Sequence, residues 1–123
     1  MNSGNSKIRG RWGEAHAARY LRTRGYTILG AGYRTRFGEI DIIAREGDTV
    51  VFVEVKTRKS AKYGPAGEAV DRHKQTRLIS AAEQWLAENG PDQQCRFDVI
   101  GIYAPTCGML PEVEHIKNAF WVE

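Results

Sequence analysis

Residues 38–56 read GEIDIIAREGDTVVFVEVK and carry the clearest structural signal in the chain. Two apolar-rich runs flank Gly47 and Asp48, a pair that favours a two-residue type II′ turn with glycine at its first central position. The pattern therefore predicts an antiparallel hairpin with one wholly apolar face, which belongs on a core. The facing pairs on that side are Ile40 and Val55, Ile42 and Val53, and Ala44 and Val51.

The opposite face of the hairpin carries charge near its open end. There Asp41 lies opposite Glu54, and Glu39 lies opposite Lys56. Directly opposed residues have Cβ atoms roughly 4.5–5.5 Å apart, and two like charges at that distance destabilise a sheet. A divalent cation held by both carboxylates would offset the repulsion, because Mg²⁺ prefers oxygen ligands and leaves room for a substrate phosphate.

Two interpretations of this charged face remain open from the residues alone. In the first, Lys56 stabilises an attacking hydroxide or the charge that develops on a phosphate beside the cation. In the second, the face is simply solvated, Glu39 and Lys56 form an ordinary ion pair, and Asp41 is exposed.

Capping and turn signals predict the remaining elements. Gly25 ends a first helix, and Asp71 is a typical N-cap for a second helix that Gly90 ends. The resulting order α-β-β-β-α-β-β predicts an α/β sandwich rather than a helical bundle. The predicted helices span residues 11–24 and 72–89, the strands span 26–31, 38–46, 49–56, 96–103 and 112–121, and a basic loop spans 57–68.

Length and composition describe one ordinary domain. The chain has 123 residues, of which 41% are hydrophobic and 27% are charged, as in globular proteins. We expect a flexible segment at residues 1–10 and a single domain over residues 11–123. No apolar run is long enough to cross a membrane, and the polar start does not resemble a secretory signal, so we expect a cytoplasmic protein.

Charge is distributed unevenly along the chain. Residues 1–36 hold eight basic side chains and one acid, a net charge of +7 in a chain whose total is +3. This asymmetry favours a surface that faces a polyanion, although solvated arginine-rich helix faces are also common. Arg11, Arg19 and Arg22 cluster on one side of the first helix, available to solvent or to phosphates.

Other chemistry-bearing residues carry weaker signals. The three histidines, His16, His73 and His115, lie in different elements without the spacing of metal ligands, so we assign them to the surface or to packing. Asp98 reads as a structural residue of its strand. The chain also lacks a phosphate-binding glycine loop and a recognisable serine or cysteine nucleophile motif.

The hairpin motifs carry a resemblance to known proteins. GEIDII at residues 38–43 and VEVK at residues 53–56 match the D-x(n)-[DE]-x-K signature of the restriction-endonuclease-like PD-(D/E)XK nuclease superfamily. The fuller pattern resembles a widespread bacterial family of uncharacterised proteins, the YraN type, and is similar to archaeal Holliday-junction resolvases. Residues 74–78 and 96–99 stand where the bacterial family has further motifs, so the resemblance covers the chain from about residue 11 onward.

This resemblance implies a fold, an activity and a set of site residues. The fold would be restriction-endonuclease-like, with a central mixed sheet between helices in three layers. The activity would be metal-dependent cleavage of DNA. Asp41 and Glu54 would hold Mg²⁺ or Mn²⁺, with the Val55 carbonyl as a further ligand, and Lys56 would be the catalytic lysine. Resolvases also place a glutamate of a helix near the metal, which points to Glu14, whereas Glu39 would support the site.

The resemblance also implies partners. DNA, branched DNA included, would be the substrate, and cutting both strands of a junction calls for a symmetric homodimer. The basic residues expected to contact phosphates are Arg11, Arg19, Arg22, Arg58, Lys59, Lys62 and Lys74. Two rival functions are a nucleic-acid-binding module that keeps the fold without cutting, and a scaffold that binds a protein through the apolar residues 119–122.

Overall fold

The computed structural model describes residues 3–58, 71–103 and 110–120, with side chains from residue 10 onward. Its elements follow the predicted order, two helices and five strands. They are α1 (Ser3–Thr23), β1 (Thr27–Arg34), β2 (Glu39–Glu46), β3 (Thr49–Arg58), α2 (Arg72–Asn89), β4 (Gln94–Tyr103) and β5 (Glu112–Phe120).

Several predicted boundaries were wrong. Helix α1 begins at Ser3 rather than at residue 11, so it includes most of the segment expected to be flexible. Strand β3 runs on through Thr57 and Arg58, which were predicted to open a loop. The rest of that loop, with Lys59 and Lys62, lies outside the described residues.

The predicted hairpin is confirmed. Ile42 pairs with Val53 and Ala44 pairs with Val51 in the antiparallel ladder between β2 and β3, as predicted. The predicted pair of Ile40 with Val55 was wrong, because the ladder ends at Ile42 and Val53, and Ile40 packs on the α2 side of the sheet whereas Val55 packs on the α1 side. Gly47 has a φ of 59°, the left-handed conformation that the first position of a type II′ turn requires.

The five strands form one mixed sheet in the order β1-β2-β3-β4-β5. Among the described strands, β3, the central one, pairs in parallel with β4, and the other neighbouring pairs are antiparallel. A parallel pair requires a crossover, which here contains α2. Helix α1 covers one face, where Ala17 and Leu21 are buried, and α2 covers the other, where Leu78 and Ala82 are buried. The three-layer α/β architecture is therefore confirmed, with a central mixed sheet.

Both helix caps follow the sequence signals. Asp71 caps α2 by accepting a hydrogen bond from the Lys74 N–H at 2.9 Å. Gly25 and Gly90 follow the two helices with φ of 90° and 131°, conformations that favour glycine. Neither helix in the described part of the chain combines the length and the apolar content needed to span a membrane.

Helix α2 lies unusually close to the start of β2. A Cβ atom on Gly38 would sit 2.7 Å from the backbone oxygen of Arg77, a separation that real Cβ atoms essentially never show. Gly38 thus permits the first turns of α2 to lie directly against the charged end of the hairpin. This close approach positions the candidate site.

Candidate active site

Asp41 lies where strands β2 and β3 cease to pair in the ladder that ends at Ile42 and Val53. Its Oδ2 atom accepts a hydrogen bond from the backbone N–H of Val55 at 2.8 Å. This contact holds the carboxyl group against β3, beside Glu54, and leaves Asp41 only partly exposed. The solvated interpretation, in which Asp41 is merely exposed, is therefore wrong.

The neighbourhood of Asp41 changes its protonation. Burial and the adjacent Glu54 carboxylate raise its pKa to about 8, with a further contribution from Glu14, and these outweigh the opposing effect of the Val55 N–H. A hydrogen bond between the Asp41 and Glu54 side chains acts in the same direction. At neutral pH the two carboxyl groups therefore hold a proton between them unless a cation takes its place.

Lys56 completes the acidic pair. Its Nζ atom lies 3.1 Å from Glu54 Oε2, and the two side chains are only 18% and 14% exposed. Burial lowers the pKa of Lys56, but a hydrogen bond with Lys74 and attraction to Glu54 raise it more, so the net shift is upward. The ion pair between Glu39 and Lys56 that belongs to the solvated interpretation is also absent among the residues that the structure describes, because Glu39 instead pairs with Arg34 at 2.9 Å.

Glu14 approaches the same cluster from α1. Its pKa is raised by burial and by the charges of Glu39 and Glu54, which shows that its carboxylate lies within electrostatic reach of the acidic pair. The adjacent Gly13 packs directly on the Thr57 side chain at the end of β3, and this contact fixes the helix over the site. Glu14 is thus near the predicted cluster rather than in bulk solvent.

A cavity of about 310 Å³ separates the acids from the first turns of α2. Glu39, Asp41 and Glu54 line it from the sheet. His73, Lys74, Arg77 and Leu78 line it from the helix. The cavity therefore has an acidic wall and a basic wall, and its size is at the lower end of the range for ligand sites.

The basic wall was only partly predicted. Lys74 was assigned to phosphate contacts, but Arg77 was not singled out and His73 was assigned to the surface or to packing. Their positions within two turns of the Asp71 N-cap were the available signal, because i and i+4 residues share a helix face. The Lys74 side chain contacts Lys56, and this contact, with burial, lowers the pKa of Lys74.

The cluster fits a hard divalent cation in one of the ways that proteins bind it. Among residues 10–58, 71–103 and 110–120, no group of three or more His, Cys, Asp and Glu side chains could hold a metal ion. Mg²⁺, however, is commonly held by one or two carboxylates together with waters and substrate phosphates. Asp41 and Glu54 supply two such oxygen donors, and the proton that they share marks a position where a cation would be stabilised.

The other predicted phosphate contacts are dispersed. Arg11, Arg19 and Arg22 are exposed on α1. Arg58 is partly buried at the end of β3. Val55, the proposed carbonyl ligand, lies in β3 between Glu54 and Lys56.

Asp98 belongs to a second polar cluster away from the cavity. It is 1% exposed and accepts hydrogen bonds from Arg96 Nε at 3.0 Å, His115 Nε2 at 2.7 Å and the Asn118 N–H at 3.0 Å. His115 is buried here with Tyr20. The structural assignment of Asp98 is confirmed, and of the two roles left open for His115, surface or packing, the structure shows packing.

Of the apolar carboxy-terminal residues considered for a scaffold role, the two that the structure describes, Ala119 and Phe120, are not exposed. Phe120 is 8% exposed and stacks on Phe97, with ring centroids 5.0 Å apart. The other residues of that set are Ala119, which is partly buried, and Trp121 and Val122, which lie outside the described residues.

Comparison with known proteins gives a family match and close relatives. The model of the uncharacterised protein family UPF0102 matches residues 13–102, a range that includes every described residue lining the cavity. A UPF0102 protein of Chlorobium chlorochromatii is 48% identical over 128 aligned positions, covering 100% of this chain and 99% of the relative. A UPF0102 protein of Geobacter metallireducens is 49% identical over 117 positions, covering 94% of each chain, and one of Nocardia farcinica is 44% identical over 118 positions, covering 95% of this chain and 92% of the relative.

Proposed function

The chain belongs to the uncharacterised protein family UPF0102, and we propose that it is a nuclease that uses Mg²⁺ or Mn²⁺ to hydrolyse DNA phosphodiester bonds. One observation carries the proposal, the pair of adjoining carboxyl groups of Asp41 and Glu54 with the Lys56 ammonium 3.1 Å from Glu54. Two oxygen donors and a cation at one end of a hairpin are the groups that metal-assisted phosphoryl hydrolysis needs.

Each residue has a defined task in this proposal. When bound, the metal would lower the pKa of a water molecule and neutralise charge on the phosphate. Asp41 and Glu54 hold the ion, and Glu14 adds negative charge that strengthens its binding. Lys56 directs its ammonium group to the charge that develops in the transition state.

The basic wall suits the phosphate. Lys74 and Arg77 face the acids across the cavity, so a phosphodiester between the walls would meet cations on the side away from the metal ligands. The exposed Arg11, Arg19 and Arg22 would hold neighbouring phosphates, which fixes the position of the nucleic acid without reading its sequence. We also propose DNA, branched DNA included, as the substrate and a homodimer for cutting both strands, and these two parts rest on the resemblance of the hairpin motifs. A cytoplasmic location is a further part of the proposal, and it does not rest on that resemblance.

A cleavage panel tests the proposal. Single-stranded, duplex, flap and four-way-junction DNAs are incubated with the purified protein in Mg²⁺, in Mn²⁺ and in EDTA. We expect cleavage of at least one substrate that depends on the metal, and its loss in Asp41→Asn and Lys56→Ala. Glu83→Gln, which removes an exposed carboxylate of α2, serves as the matched control and should cut normally.

A second candidate is a nucleic-acid-binding module that does not cut. It is favoured by the engagement of Glu54 with Lys56 and by the lack of a three-residue metal group among the described side chains. A wild-type protein that binds DNA in a salt-dependent way, yet binds no divalent metal by calorimetry and cuts nothing in the panel, would establish this alternative.

A further inference from the structure

The turn between β1 and β2 presents an aromatic ring to solvent. Phe37 is 51% exposed, whereas the other exposed large hydrophobic residues in the described ranges, Leu29, Leu110 and Val113, are aliphatic. An aromatic side chain in this position is not explained by the core or by the proposed chemistry.

This turn is held firmly. The Thr35 N–H donates to the Gly38 carbonyl at 2.8 Å, and the Thr35 hydroxyl oxygen accepts from the N–H groups of Phe37 at 3.0 Å and Gly38 at 3.1 Å. From the other side, Arg77 Nε donates to the Phe37 carbonyl at 3.0 Å. The exposed ring is therefore mounted on a backbone fixed from both ends, which lowers the entropy cost of using it for binding.

The turn adjoins the cavity, and two arginines, Arg36 and Arg77, contact Phe37. Phe37 stands two residues before Glu39, and its carbonyl contacts Arg77, so it is directly linked to both walls of the cavity. The Arg36 guanidinium lies over the Phe37 ring, 5.4 Å from its centroid, as in a cation–π contact. An aromatic ring with an arginine, next to a site suited to phosphate, is the combination that holds single-stranded nucleic acids.

We propose that Phe37 stacks on an unpaired nucleobase next to the phosphate held in the cavity, so that the protein takes single-stranded or splayed nucleic acid in preference to continuous duplex. The inference rests on the proposed function, since it assumes that the cavity receives a phosphodiester. A base inside a duplex already stacks on its neighbours and is not free to cover the ring. An unpaired base at a flap, a junction or a single strand has a free face.

A protein partner fits the same residue less well. Protein interaction sites are marked by contiguous apolar patches of several hundred Å². The neighbours of Phe37 in the turn are arginine, threonine and glycine, which supply no such patch. The charge around the ring complements phosphates rather than an apolar surface.

Binding measured without catalysis tests the inference. Fluorescence anisotropy in EDTA, and again in Ca²⁺, would compare a single-stranded oligodeoxynucleotide of about 15 nucleotides with its duplex. Phe37→Ala should weaken single-strand binding about tenfold, the size of one base–aromatic stack, and leave duplex binding unchanged. Phe37→Trp should retain the single-strand affinity. Leu29→Ala, which removes an exposed apolar side chain away from the cavity, should change neither.

A spectroscopic readout locates the contact. A 2-aminopurine placed along the single strand should be quenched by the wild type and by Phe37→Trp at one or two positions, and not by Phe37→Ala. Equal loss of single-strand and duplex affinity in Phe37→Ala, no loss of either, or a wild type that binds neither DNA would overturn the inference. The inference would also be overturned if Phe37→Ala bound DNA as the wild type does but no longer retained a protein that the wild type captures in pull-down experiments.

The outcomes separate this inference from the nuclease proposal. Phe37-dependent single-strand binding without cleavage in any metal would support the stacking role and reject the nuclease. Metal-dependent cleavage that Phe37→Ala leaves unchanged on single-stranded, flap and duplex substrates would support the nuclease and reject the stacking role of Phe37.

Discussion

Asp41 and Glu54 place two carboxyl groups side by side, and burial together with the charge of Glu54 raises the pKa of Asp41 to about 8. Two neighbouring carboxylates cannot both ionise without a compensating charge, so a proton and a divalent cation compete for the same position. The ammonium of Lys56 offsets part of the charge on Glu54, but it does not contact Asp41 as closely. The site is therefore sensitive to pH through Asp41.

This competition predicts that metal binding by the wild type depends on pH. Because the pKa of Asp41 is about 8, Mg²⁺ or Mn²⁺ should displace close to one proton at pH 6.5 and almost none at pH 9. Affinity should therefore rise up to tenfold per pH unit below pH 8 and level off above it. Calorimetry in two buffers of different ionisation enthalpy measures both the affinity and the number of protons released.

The raised pKa of Asp41 also determines whether the metal-free protein gains or loses stability as the pH rises. A carboxyl group whose pKa is higher in the folded state binds more protons when folded, so the protein should lose stability as the pH rises from about 4 to about 8, by at most about 1.4 kcal/mol per pH unit. Asp41→Asn should lack this dependence. A wild type whose metal affinity is flat from pH 6 to pH 9 would contradict the shared proton.

For individual residues, the sequence was informative about which side chains belong to the site and about the strands that carry them. The hairpin pattern in residues 39–56 correctly predicted that Asp41, Glu54 and Lys56 lie near one another. Strict alternation does not hold at Asp41 itself, because Ile40 and Ile42 pack on opposite faces of the sheet and the Asp41 carboxylate accepts from the Val55 N–H. The pattern did not predict that Lys56 contacts Glu54 rather than Glu39. That choice depends on where the ladder opens and on the arrival of Lys74, neither of which a hairpin pattern contains.

Helix α2 supplies the second wall of the cavity, opposite the charged residues of β2 and β3. Its first turns carry His73, Lys74 and Arg77, and its backbone rests on Gly38 with no space for a side chain. A hydrogen bond from Arg77 to the Phe37 carbonyl adds to this contact. The separation of the two walls therefore depends on one glycine.

Gly38→Ala should push α2 away from β2. The added methyl group would meet a backbone oxygen at 2.7 Å, so relief requires a shift of the helix, with a cost of about 1–3 kcal/mol in the free energy of unfolding. Urea denaturation measures the loss, and cleavage or single-strand binding should fall as well because Lys74 and Arg77 move. Gly30→Ala, with nothing within 4 Å of the new atom, is the matched control and should be nearly neutral. Equal effects of the two substitutions would contradict the packing argument.

Helix α1 makes a separate contribution through its exposed arginines. Arg19→Ala or Arg22→Ala should weaken DNA binding about equally for all sequences and reduce the slope of log affinity against log salt by roughly one phosphate contact. Lys117→Ala removes the same charge from β5, where Glu46 lies 3.6 Å away and already offsets it, so its salt slope should stay at the wild-type value. Unchanged slopes in both arginine variants would place the nucleic acid on another surface.

Element types and order were predictable because caps and turns are local. Asp71, Gly90 and the Gly47 turn each specify a boundary within a few residues. The start of α1 was missed because residues 3–10 lack an apolar stripe, although nothing in them forbids a helix. The placement of α2 against Gly38 was not predictable, since it depends on contacts between residues that are distant in sequence.

The molecule as a whole is joined by the Asp98 cluster. Arg96 donates to Asp98, to Glu46 at 2.7 Å and to the Tyr26 hydroxyl at 2.7 Å, while His115 links Asp98 to Tyr20. These contacts connect α1, β2, β4 and β5 in one hydrogen-bonded network. No buried side-chain nitrogen or oxygen among the described residues is left without a partner, as a stable buried network requires.

Removing the central charge should be costly. Asp98→Asn keeps the shape but weakens the charge-assisted hydrogen bonds from Arg96 and His115, while Arg96 keeps Glu46, so the free energy of unfolding should fall by about 1–3 kcal/mol. Chemical denaturation measures this loss, and the exposed Glu83→Gln should change stability by less than about 0.5 kcal/mol. A loss in Asp98→Asn as small as that of the control would show that the network contributes little.

The pH dependence of this cluster is opposite to that of Asp41. Burial raises the pKa of Asp98, but hydrogen bonds from His115, Arg96 and the Asn118 N–H outweigh it and hold the pKa below its usual value. The stability that this group contributes is present above the usual value of 3.8 and is lost as the pH falls through the lower, folded value. Asp98→Asn should remove this part of the acid sensitivity, which denaturation at a series of low pH values would detect.

The parallel pairing of β3 with β4 also sets an order of assembly. Strands β1, β2 and β3 are joined by short turns and can associate early, whereas β4 must wait for the crossover through α2, because long-range pairing is slow. The acidic wall therefore forms with the early strands, and the basic wall is positioned only when the crossover docks. The two walls are thus built by segments that meet late, and the ability to hold a phosphate between them arrives only with the last step of folding.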